Sequence, residues 1–371
     1  MYYVSWDWHV KSTYAGPDLE PFMRVLNPWR LSLLFFISGV AGRFMLDKVS
    51  RETFAKERLW RLLIPLFIGM QFVVAPQTYF QFLQSGTIEP GFWAFFAQYS
   101  DPDFVFEGTT TPTWNHLWYV AYLLVYSFLL VGLAPWLKAL MSGPLGRGVS
   151  RLPAWIIALA LPVVPLLIVR FTLTPHWPIT HNLVSDWANH AASFYVFLLG
   201  YMVAKSARFW TTIDKMRFWS LGLSILLIVP LTPLWIHWEG FLQWLGPDSE
   251  ASPLLFIARA GRVLYAWFAI ATLLGFAQRL LNKPSRILAY LTAMIFPYYI
   301  LHQTLIISIA YPLSQMKLGL PVEAGAIIIG TIGGCVLISE LIIKRLALLR
   351  IFFGMKLKPE HLRIGVCNLP G

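Results

Sequence analysis

The sequence predicts an all-α fold, a polytopic helical bundle with about nine transmembrane helices. Of the 371 residues, 57% are hydrophobic and only 13% are charged, a balance far from that of a soluble globular domain. Apolar runs recur through nearly the whole chain, and no polar domain separates them. Basic residues fall in alternate connections between these runs, as in membrane proteins of fixed orientation. We therefore expect a single bundle embedded in a lipid bilayer.

The distribution of charge decides what the formal net charge of +11 means. Of the 29 lysines and arginines, 21 fall in five segments: 47–61, 138–151, 205–217, 278–286 and the stretch from 344 onward. Cytoplasmic loops are enriched in Lys and Arg, so these segments and the C-terminus are predicted to face the cytoplasm. The same distribution excludes a nucleic-acid partner, which would need a continuous basic face. The oligomeric state cannot be derived from the sequence.

Nine transmembrane helices are predicted within a membrane domain of residues 30–349. They cover residues 30–46, 62–83, 117–137, 154–171, 188–204, 218–238, 254–277, 287–310 and 322–349. The aromatic and polar segment 1–29 is predicted to be extracytoplasmic, and residues 350–371 to form a basic cytoplasmic tail. Nothing in 1–29 would carry that segment across a membrane, so either a short tail crosses unaided or, as we expect, a further helix lies upstream.

Two pairs of small residues, each pair four positions apart, favour close packing between helices. They are Ser38 with Gly42 and Gly330 with Gly334. Residues 91–99 (GFWAFFAQY) predict one short interfacial helix.

Two arginines lie within a predicted span, where a charged side chain is costly and commonly marks function or a water-filled cavity. Arg259 and Arg262 are three residues apart and therefore share one helix face. They lie roughly 8 to 12 Å from the predicted outer end of their helix at ~1.5 Å per residue. Two arginines on one face favour a polar outer cavity. The alternative is that both side chains reach the outer headgroups.

Histidines and a tyrosine in the outer half of the bundle are candidates for proton transfer. His302 lies past the middle of its span, and Tyr298 lies one turn earlier on the same face. The near-neutral pKa of histidine suits a base that accepts a proton from a hydroxyl, although a buried packing histidine fits the pattern equally well. His116 lies at the mouth of its own span, where an interfacial role is the alternative.

The basic connection after the first span holds a second candidate site. Lys56, Arg58 and Arg61 could bind the phosphates of a donor substrate, because arginine binds phosphate with two hydrogen bonds and lysine as a point charge. Ordinary positive-inside bias explains the same residues equally well. No metal is expected, because His176 and His181 lack a third ligand, and Cys335 and Cys367 lie on opposite sides of a predicted boundary.

Four sequence blocks, in this order, resemble the bacterial membrane acyltransferase-3 family. They are Phe35-Phe36-Ile37-Ser38-Gly39, Arg58-Leu59-Trp60-Arg61 with Pro65, His116-Leu117-Trp118-Tyr119, and Tyr298-Tyr299-Ile300-Leu301-His302-Gln303. Within the family, the likeness is greatest to the glucan-modifying branch that includes the glucans biosynthesis protein C type. The resemblance implies an O-acyltransferase of the bacterial inner membrane that moves an acetyl or succinyl group from acyl-CoA to a hydroxyl of a carbohydrate or glycan outside the cytoplasm.

The resemblance also implies a tenth helix. Members of the family begin with a span that bears Arg-x10-His, and its histidine is taken as the catalytic base. His9 does not match it, because His9 lies in polar sequence. We therefore expect either that this helix is encoded upstream or that the 371-residue form is inactive. The alternative class is a non-catalytic membrane protein, either transporter-like or a degenerate member of the family.

Overall fold

A computed structural model describes residues 1–101, 103–106 and 108–356. Cys367 and most of the predicted basic tail therefore lie outside the described residues. The α-helices are α1 (Glu20–Leu46), α2 (Arg51–Ile68), α3 (Ala75–Ser85), α4 (Phe92–Tyr99), α5 (Trp118–Ser142), α6 (Pro144–Arg151), α7 (Val163–Thr172), α8 (Trp187–Val203), α9 (Ala207–Ile236), α10 (Trp238–Leu245), α11 (Pro253–Leu280), α12 (Arg286–Met316), α13 (Leu320–Ile338) and α14 (Ala347–Phe352). Two short strands, β1 (Val105–Phe106) and β2 (Thr109–Thr110), pair antiparallel.

Seven helical segments of the described chain are long and apolar enough to cross a membrane. An eighth is reached if Pro144–Arg151 and Ile156–Thr172, which are bent by 112°, form one span. The predicted span 188–204 is helical as α8, but its 17 residues extend only about 26 Å, less than the ~30 Å of a hydrocarbon core. The polytopic helical bundle is confirmed. With the bent pair counted as one span the described chain has eight candidate spans, and α8 is the ninth predicted span.

The first long helix begins ten residues earlier than predicted. Segment 20–29 holds Glu20, Arg24 and two prolines, which made it look too polar to be helical. Pro21 lies in the first turn of α1, where its missing N–H is not needed. Arg24 donates to the Glu20 carboxylate one turn away at 3.2 Å, which supports the same turn.

The chain divides into two compact units, described separately below. Unit 1 comprises Met1–Pro17, Lys56–Leu124 and residues from 285 onward. Unit 2 comprises Asp18–Ala55 and Val125–Pro284. Each unit thus combines segments that are far apart in the sequence.

Glycines allow the closest helix contact in unit 2. A Cβ atom on Gly39 of α1 would lie 1.9 Å from the Phe197 carbonyl oxygen of α8. A Cβ atom on Gly200 would lie 2.1 Å from the Phe36 carbonyl oxygen, so the two backbones touch where either side chain would clash. Next to this crossing, Trp267 is fully buried and donates to the Ala158 carbonyl at 3.1 Å.

In unit 1 the small-residue pair on α13 behaves as predicted. A Cβ atom on Gly330 would lie 2.9 Å from the Ile309 side chain, and one on Gly334 would lie 3.0 Å from Leu305. Close packing between α12 and α13 is therefore confirmed. The predicted helix within 91–99 is also present, as α4.

The N-terminal segment is part of the packed structure of unit 1. Tyr2 donates to the Ala310 carbonyl of α12 at 3.1 Å, and Ser12 donates to the buried Glu323 carboxylate of α13 at 2.7 Å. The Gln84 side chain of α3 pairs with the Lys11 backbone, accepting at 2.7 Å and donating at 2.9 Å. These bonds hold residues 1–16 against three helices.

Three π-helical turns interrupt the long helices, at Gly69–Val73, Ile156–Ala160 and Ser339–Ile343. In the first, Val74 N–H donates to the Gly69 carbonyl at 2.8 Å, five residues back. Gln77 N–H then donates to the Val74 carbonyl, and the Val73 carbonyl accepts from the Thr304 hydroxyl of α12 at 2.5 Å. The π turn thus offers a backbone acceptor to a neighbouring helix, a use typical of functional regions.

Candidate active site

His302 of α12 has one ring nitrogen fixed and one free. Its Nδ1 lies 2.7 Å from the Tyr299 carbonyl oxygen, which can only accept a hydrogen bond. This contact assigns the proton to Nδ1 and the lone pair to Nε2. Within the described residues no protein group hydrogen-bonds to His302 Nε2. The imidazole is therefore oriented with Nδ1 bound and Nε2 open, and in the neutral ring Nε2 is the nitrogen that can accept a proton.

His116 lies beside His302 in unit 1, where the short 3-10 turn Asn115–Leu117 leads into α5. The two rings meet edge to face with their centres 5.3 Å apart. His116 Nε2 donates to the Ile300 carbonyl at 3.1 Å, and the His116 carbonyl accepts from the Tyr299 hydroxyl. Tyr299 thus contacts both histidines, through its carbonyl and its hydroxyl.

Gln77 of α3, with no exposed surface, lies at the centre of this cluster. Its side-chain oxygen accepts from Asn115 and Gln303, each at 3.2 Å. Its side-chain nitrogen donates to the Thr304 hydroxyl at 2.7 Å and to His116 Nδ1 at 3.3 Å. All four hydrogen bonds that an amide side chain can make are therefore present.

These bonds fix the proton positions without any charged group. Because Gln77 donates to Nδ1 of His116, the proton of that ring lies on Nε2, which agrees with its contact to the Ile300 carbonyl. Both His116 nitrogens are engaged, so His116 orients its neighbours, whereas His302 retains a free nitrogen. We call Gln77, Asn115, His116, Tyr299, His302, Gln303 and Thr304 the histidine network.

Tyr298 belongs to a different network of unit 1. Tyr290 donates to the Glu340 carboxylate at 2.7 Å, so the 2.9 Å contact between the two tyrosine hydroxyls has Tyr298 as donor. Lys344 pairs with the same carboxylate at 2.8 Å. Glu340 and Lys344 thus form an ion pair, and the Tyr298 hydroxyl bonds to Tyr290 and not to His302.

The basic connection is only partly available to a ligand. Lys56 and Arg61 are exposed and Arg58 is half-buried. The Arg61 guanidinium donates from Nε and Nη2 to the Gly354 carbonyl, each at 3.3 Å, which joins α2 to the turn after α14. Arg61 therefore has a structural contact in addition to any role in binding a donor.

Arg259 and Arg262 lie in unit 2 and line one cavity of about 130 Å³. Arg259 makes two hydrogen bonds to Glu250, at 2.6 and 2.7 Å, and its guanidinium holds the pKa of the Glu250 carboxyl below its usual value. The Arg262 guanidinium lies over the Trp235 ring, 5.5 Å from its centre. The other side chains that line the cavity are Arg24, Arg170, Trp235, Trp238 and Ala258.

Comparison with models of protein families identifies the family to which the chain belongs. The acyltransferase-3 model, described as an acyltransferase domain, matches residues 1–340. The chain belongs to the acyltransferase-3 family. No curated protein and no solved structure matches it. Family membership makes it a membrane acyltransferase of the type that transfers groups other than aminoacyl groups, while the glucan-modifying branch stays a prediction.

Several network residues of this acyltransferase-3 member carried no signal in the sequence. Gln77, Gln303 and Thr304 are ordinary polar residues of helices, and only the packing of α3 against α12 gives them a common role. Tyr299 adjoins Tyr298, and the spacing to His302 favoured Tyr298. Arg170 could have been found with the reasoning applied to Arg259, since it lies in the predicted span 154–171, whereas Arg24 lies in the segment predicted to precede the membrane domain.

Local structure explains two histidines outside the histidine network. Asp186, the residue before α8, is fully buried and accepts from the backbone N–H groups of Thr180 and His181 at 3.1 and 3.2 Å. Asp186 therefore orders the loop that holds His181. His9 hydrogen-bonds to the Gln81 side chain of α3, and burial lowers the pKa of its imidazole. Among the described residues, no group of three or more His, Cys, Asp or Glu could hold a metal ion.

Proposed function

We propose that this protein is an integral-membrane O-acyltransferase that moves an acetyl or succinyl group from acyl-CoA to a hydroxyl of a carbohydrate or glycan on the extracytoplasmic side. The family assignment supports acyl transfer in general. The observation that carries the proposal is the geometry of His302, whose Nδ1 is bound to the Tyr299 carbonyl and whose Nε2 is open. A base oriented by a third group is the arrangement that acyl transfer to a hydroxyl requires.

In the proposed reaction, His302 Nε2 takes the proton of the acceptor hydroxyl. The hydroxyl oxygen forms an ester bond with the acyl carbon, the bond from that carbon to sulfur breaks, and coenzyme A leaves as a thiolate that then takes up a proton. The Tyr299 carbonyl accepts from Nδ1–H throughout, which stabilises the imidazolium while it carries the extra proton. The histidine network keeps the ring in this tautomer.

Other predicted site residues take supporting roles in the proposal. Lys56, Arg58 and Arg61 bind the phosphates of the donor, with Arg61 limited by its bonds to Gly354. His116 positions Tyr299 and is not itself a base. Arg259 and Arg262 bind an anionic group of the acceptor.

Broken helices are the observation that favours a second function, transport. The 112° bend between Pro144–Arg151 and Ile156–Thr172 and the three π turns are features that transporters also use. This alternative predicts movement of a substrate without any new ester bond.

One assay separates the two functions. The gene is expressed from its own locus, everted membrane vesicles are prepared, and radiolabelled acetyl-CoA or succinyl-CoA is supplied outside. Acyl transfer predicts label in the glycan fraction that mild alkali releases as an ester. Vesicles that contain the protein at normal abundance and form no such ester contradict the proposal.

A further inference from the structure

Four arginines converge on the cavity of unit 2, and their charges are only partly balanced. We call Arg24, Arg170, Arg259 and Arg262 the arginine pocket. Arg24 pairs with Glu20 and Arg259 pairs with Glu250. Arg170 and Arg262 form no ion pair within the described part of the chain. The four positive charges of the pocket are therefore paired with two carboxylates, neither of which lines the cavity.

Positive-inside bias does not explain this cluster. At the far end of the same unit, Asp47 follows α1 and binds Arg43, Lys138 and Lys205 at 2.6 to 2.9 Å. Arg24 lies 23 residues before Asp47 along α1, about 35 Å at ~1.5 Å per residue. The basic residues that topology accounts for are thus at one end of unit 2, and the arginine pocket is at the other.

The geometry of the guanidinium groups also differs from that of arginines that snorkel, that is, extend along the helix until the charged group reaches water. The Nε atoms of Arg170 and Arg259 are buried and have no hydrogen-bond partner among the described residues. The four side chains come from three helices, α1, α7 and α11, and line one cavity, whereas arginines that seek solvent would diverge. Like charges held this close are costly in a partly closed site unless an anion joins them.

The neighbouring Glu250 shows which kind of anion fits. Its side chain is 73% exposed, yet its two carboxylate oxygens bind Nη1 and Nη2 of Arg259 side by side. A flat or tetrahedral oxyanion that offers paired oxygens is therefore a suitable ligand. Two uncompensated charges match a phosphate monoester, which carries about −1.5 to −2 at neutral pH, better than a single carboxylate does.

An apolar surface runs beside the pocket on α7 and α11. Phe171, which follows Arg170, stacks on Phe256 with ring centres 4.2 Å apart. Leu254, Phe256 and Ile257 on α11 are each exposed to 47% or more. Trp235 and Trp238 line the cavity, and tryptophan favours the depth of lipid headgroups.

We propose that the arginine pocket binds the phosphate monoester headgroup of a lipid whose chain lies along the apolar face of α7 and α11. Arg170 and Arg262 supply the charge that has no internal partner, and Arg259 exchanges Glu250 for a phosphate oxygen. The binding does not depend on acyl transfer. That the lipid carries the acceptor sugar rests on the proposed function.

The test measures equilibrium binding of radiolabelled dioleoyl phosphatidic acid to the purified full chain in detergent. The double variant Arg170→Gln/Arg262→Gln should bind at least about tenfold more weakly. The matched control Arg279→Gln, an exposed arginine at the other end of α11, should bind as the unchanged protein does. Equal binding by the double variant would overturn the proposal, as would no binding by the unchanged protein.

Three further arms keep the test decisive. Glu250→Gln should bind more tightly, because it frees Arg259, and a loss of fold cannot imitate a gain in affinity. Dioleoylglycerol, which lacks the phosphate, should not compete. Glycerol 3-phosphate that competes as well as the lipid would identify a soluble phosphate ester and overturn the lipid part of the proposal. Binding without acyl transfer would reject the proposed function and leave this site standing.

Discussion

The Gln77 side chain of unit 1 makes all four of its hydrogen bonds to uncharged partners, whereas the arginine pocket of unit 2 brings four guanidinium groups together. Both sites are built from residues of separate helices. In the first, the central amide is satisfied without a ligand, and one nitrogen of His302 stays open. In the second, two of the arginines form no ion pair among the described residues.

The difference separates two ways of preparing a site for chemistry. A neutral network with all bonds made fixes tautomers and ring orientations, which is what a proton acceptor needs. A pocket with excess positive charge does not fix the position of a proton. It attracts an anion, and the pocket is more stable when the anion is bound. The predictions below test whether the two sites differ in this way, in order of expected effect.

The largest effect is expected from Gln77→Leu in unit 1. The change removes four hydrogen bonds and leaves half-buried amide groups of Asn115 and Gln303 without their Gln77 partner. We expect the free energy of unfolding to fall by about 4 kcal/mol, measured by thermal unfolding in detergent. The same substitution at exposed Gln315, which makes one bond to Ser314, should change it by less than about 0.5 kcal/mol. Equal effects at both positions would mean that the network does not stabilise unit 1.

A moderate effect is expected from Tyr298→Phe, which separates the two networks of unit 1. The change removes only the hydroxyl contact to Tyr290. We expect a loss of about 1 kcal/mol in unfolding free energy and less than a tenfold loss in acyl transfer, measured in the vesicle assay. If the rate of acyl transfer instead fell by roughly 10² while stability stayed normal, Tyr298 would take part in proton transfer together with His302.

The smallest effect is expected at Asp47 of unit 2, whose carboxylate is paired with three basic side chains. Hydrogen bonds from Lys205, Lys138 and Arg43 hold the pKa of the Asp47 carboxyl well below its usual range. A lowered pKa means that the pairing stabilises the fold above the unfolded pKa of about 3.9 and that this contribution is lost as pH falls toward the folded value. Because both lysines are about half exposed, Asp47→Asn should cost only about 1 kcal/mol at pH 7.

The measurement is the difference in thermal unfolding between Asp47→Asn and the unchanged protein, at pH 7 and at about pH 2.5, which is below the unfolded pKa. The difference should shrink at the lower pH and in high salt, which screens exposed charges. As a control, Asp248→Asn changes an exposed carboxylate that forms no ion pair in the described chain. A pH-independent difference for Asp47→Asn would mean that the three basic partners do not stabilise the charged form.

Helices and their approximate bounds followed from the sequence because apolar length and basic connections are local signals. The spans predicted at 218–238, 254–277 and 287–310 all lie within or almost within α9, α11 and α12. The start of α1 was missed because its first turn carries Glu20 and Arg24, whose mutual ion pair is visible only in the folded chain. The docking of residues 1–16 depends on contacts with α12 and α13, about 300 residues away.

The candidate site was predicted only in outline. An intramembrane histidine is rare enough to single out His302, and an intramembrane arginine is costly enough to single out Arg259 and Arg262. Helical spacing pairs His302 with Tyr298. In the structure, however, Nδ1 of His302 hydrogen-bonds to the backbone carbonyl of Tyr299, three residues earlier in α12. Gln77 could not be predicted, because its importance lies in four partners from other segments of unit 1.

The central claim is that the open nitrogen of His302 accepts a proton, and one comparison tests it most directly. Acyl transfer is measured in vesicles for His302→Gln and for His190→Gln, expressed from the native locus and compared at equal amounts of folded protein. His190 of unit 2 is the matched control, because both of its nitrogens are engaged, with Tyr126 and with the Leu183 carbonyl. We predict a fall of roughly 10² or more for His302→Gln and a rate close to that of the unchanged protein for His190→Gln. Normal transfer by His302→Gln would contradict the account and leave His302 as a packing residue.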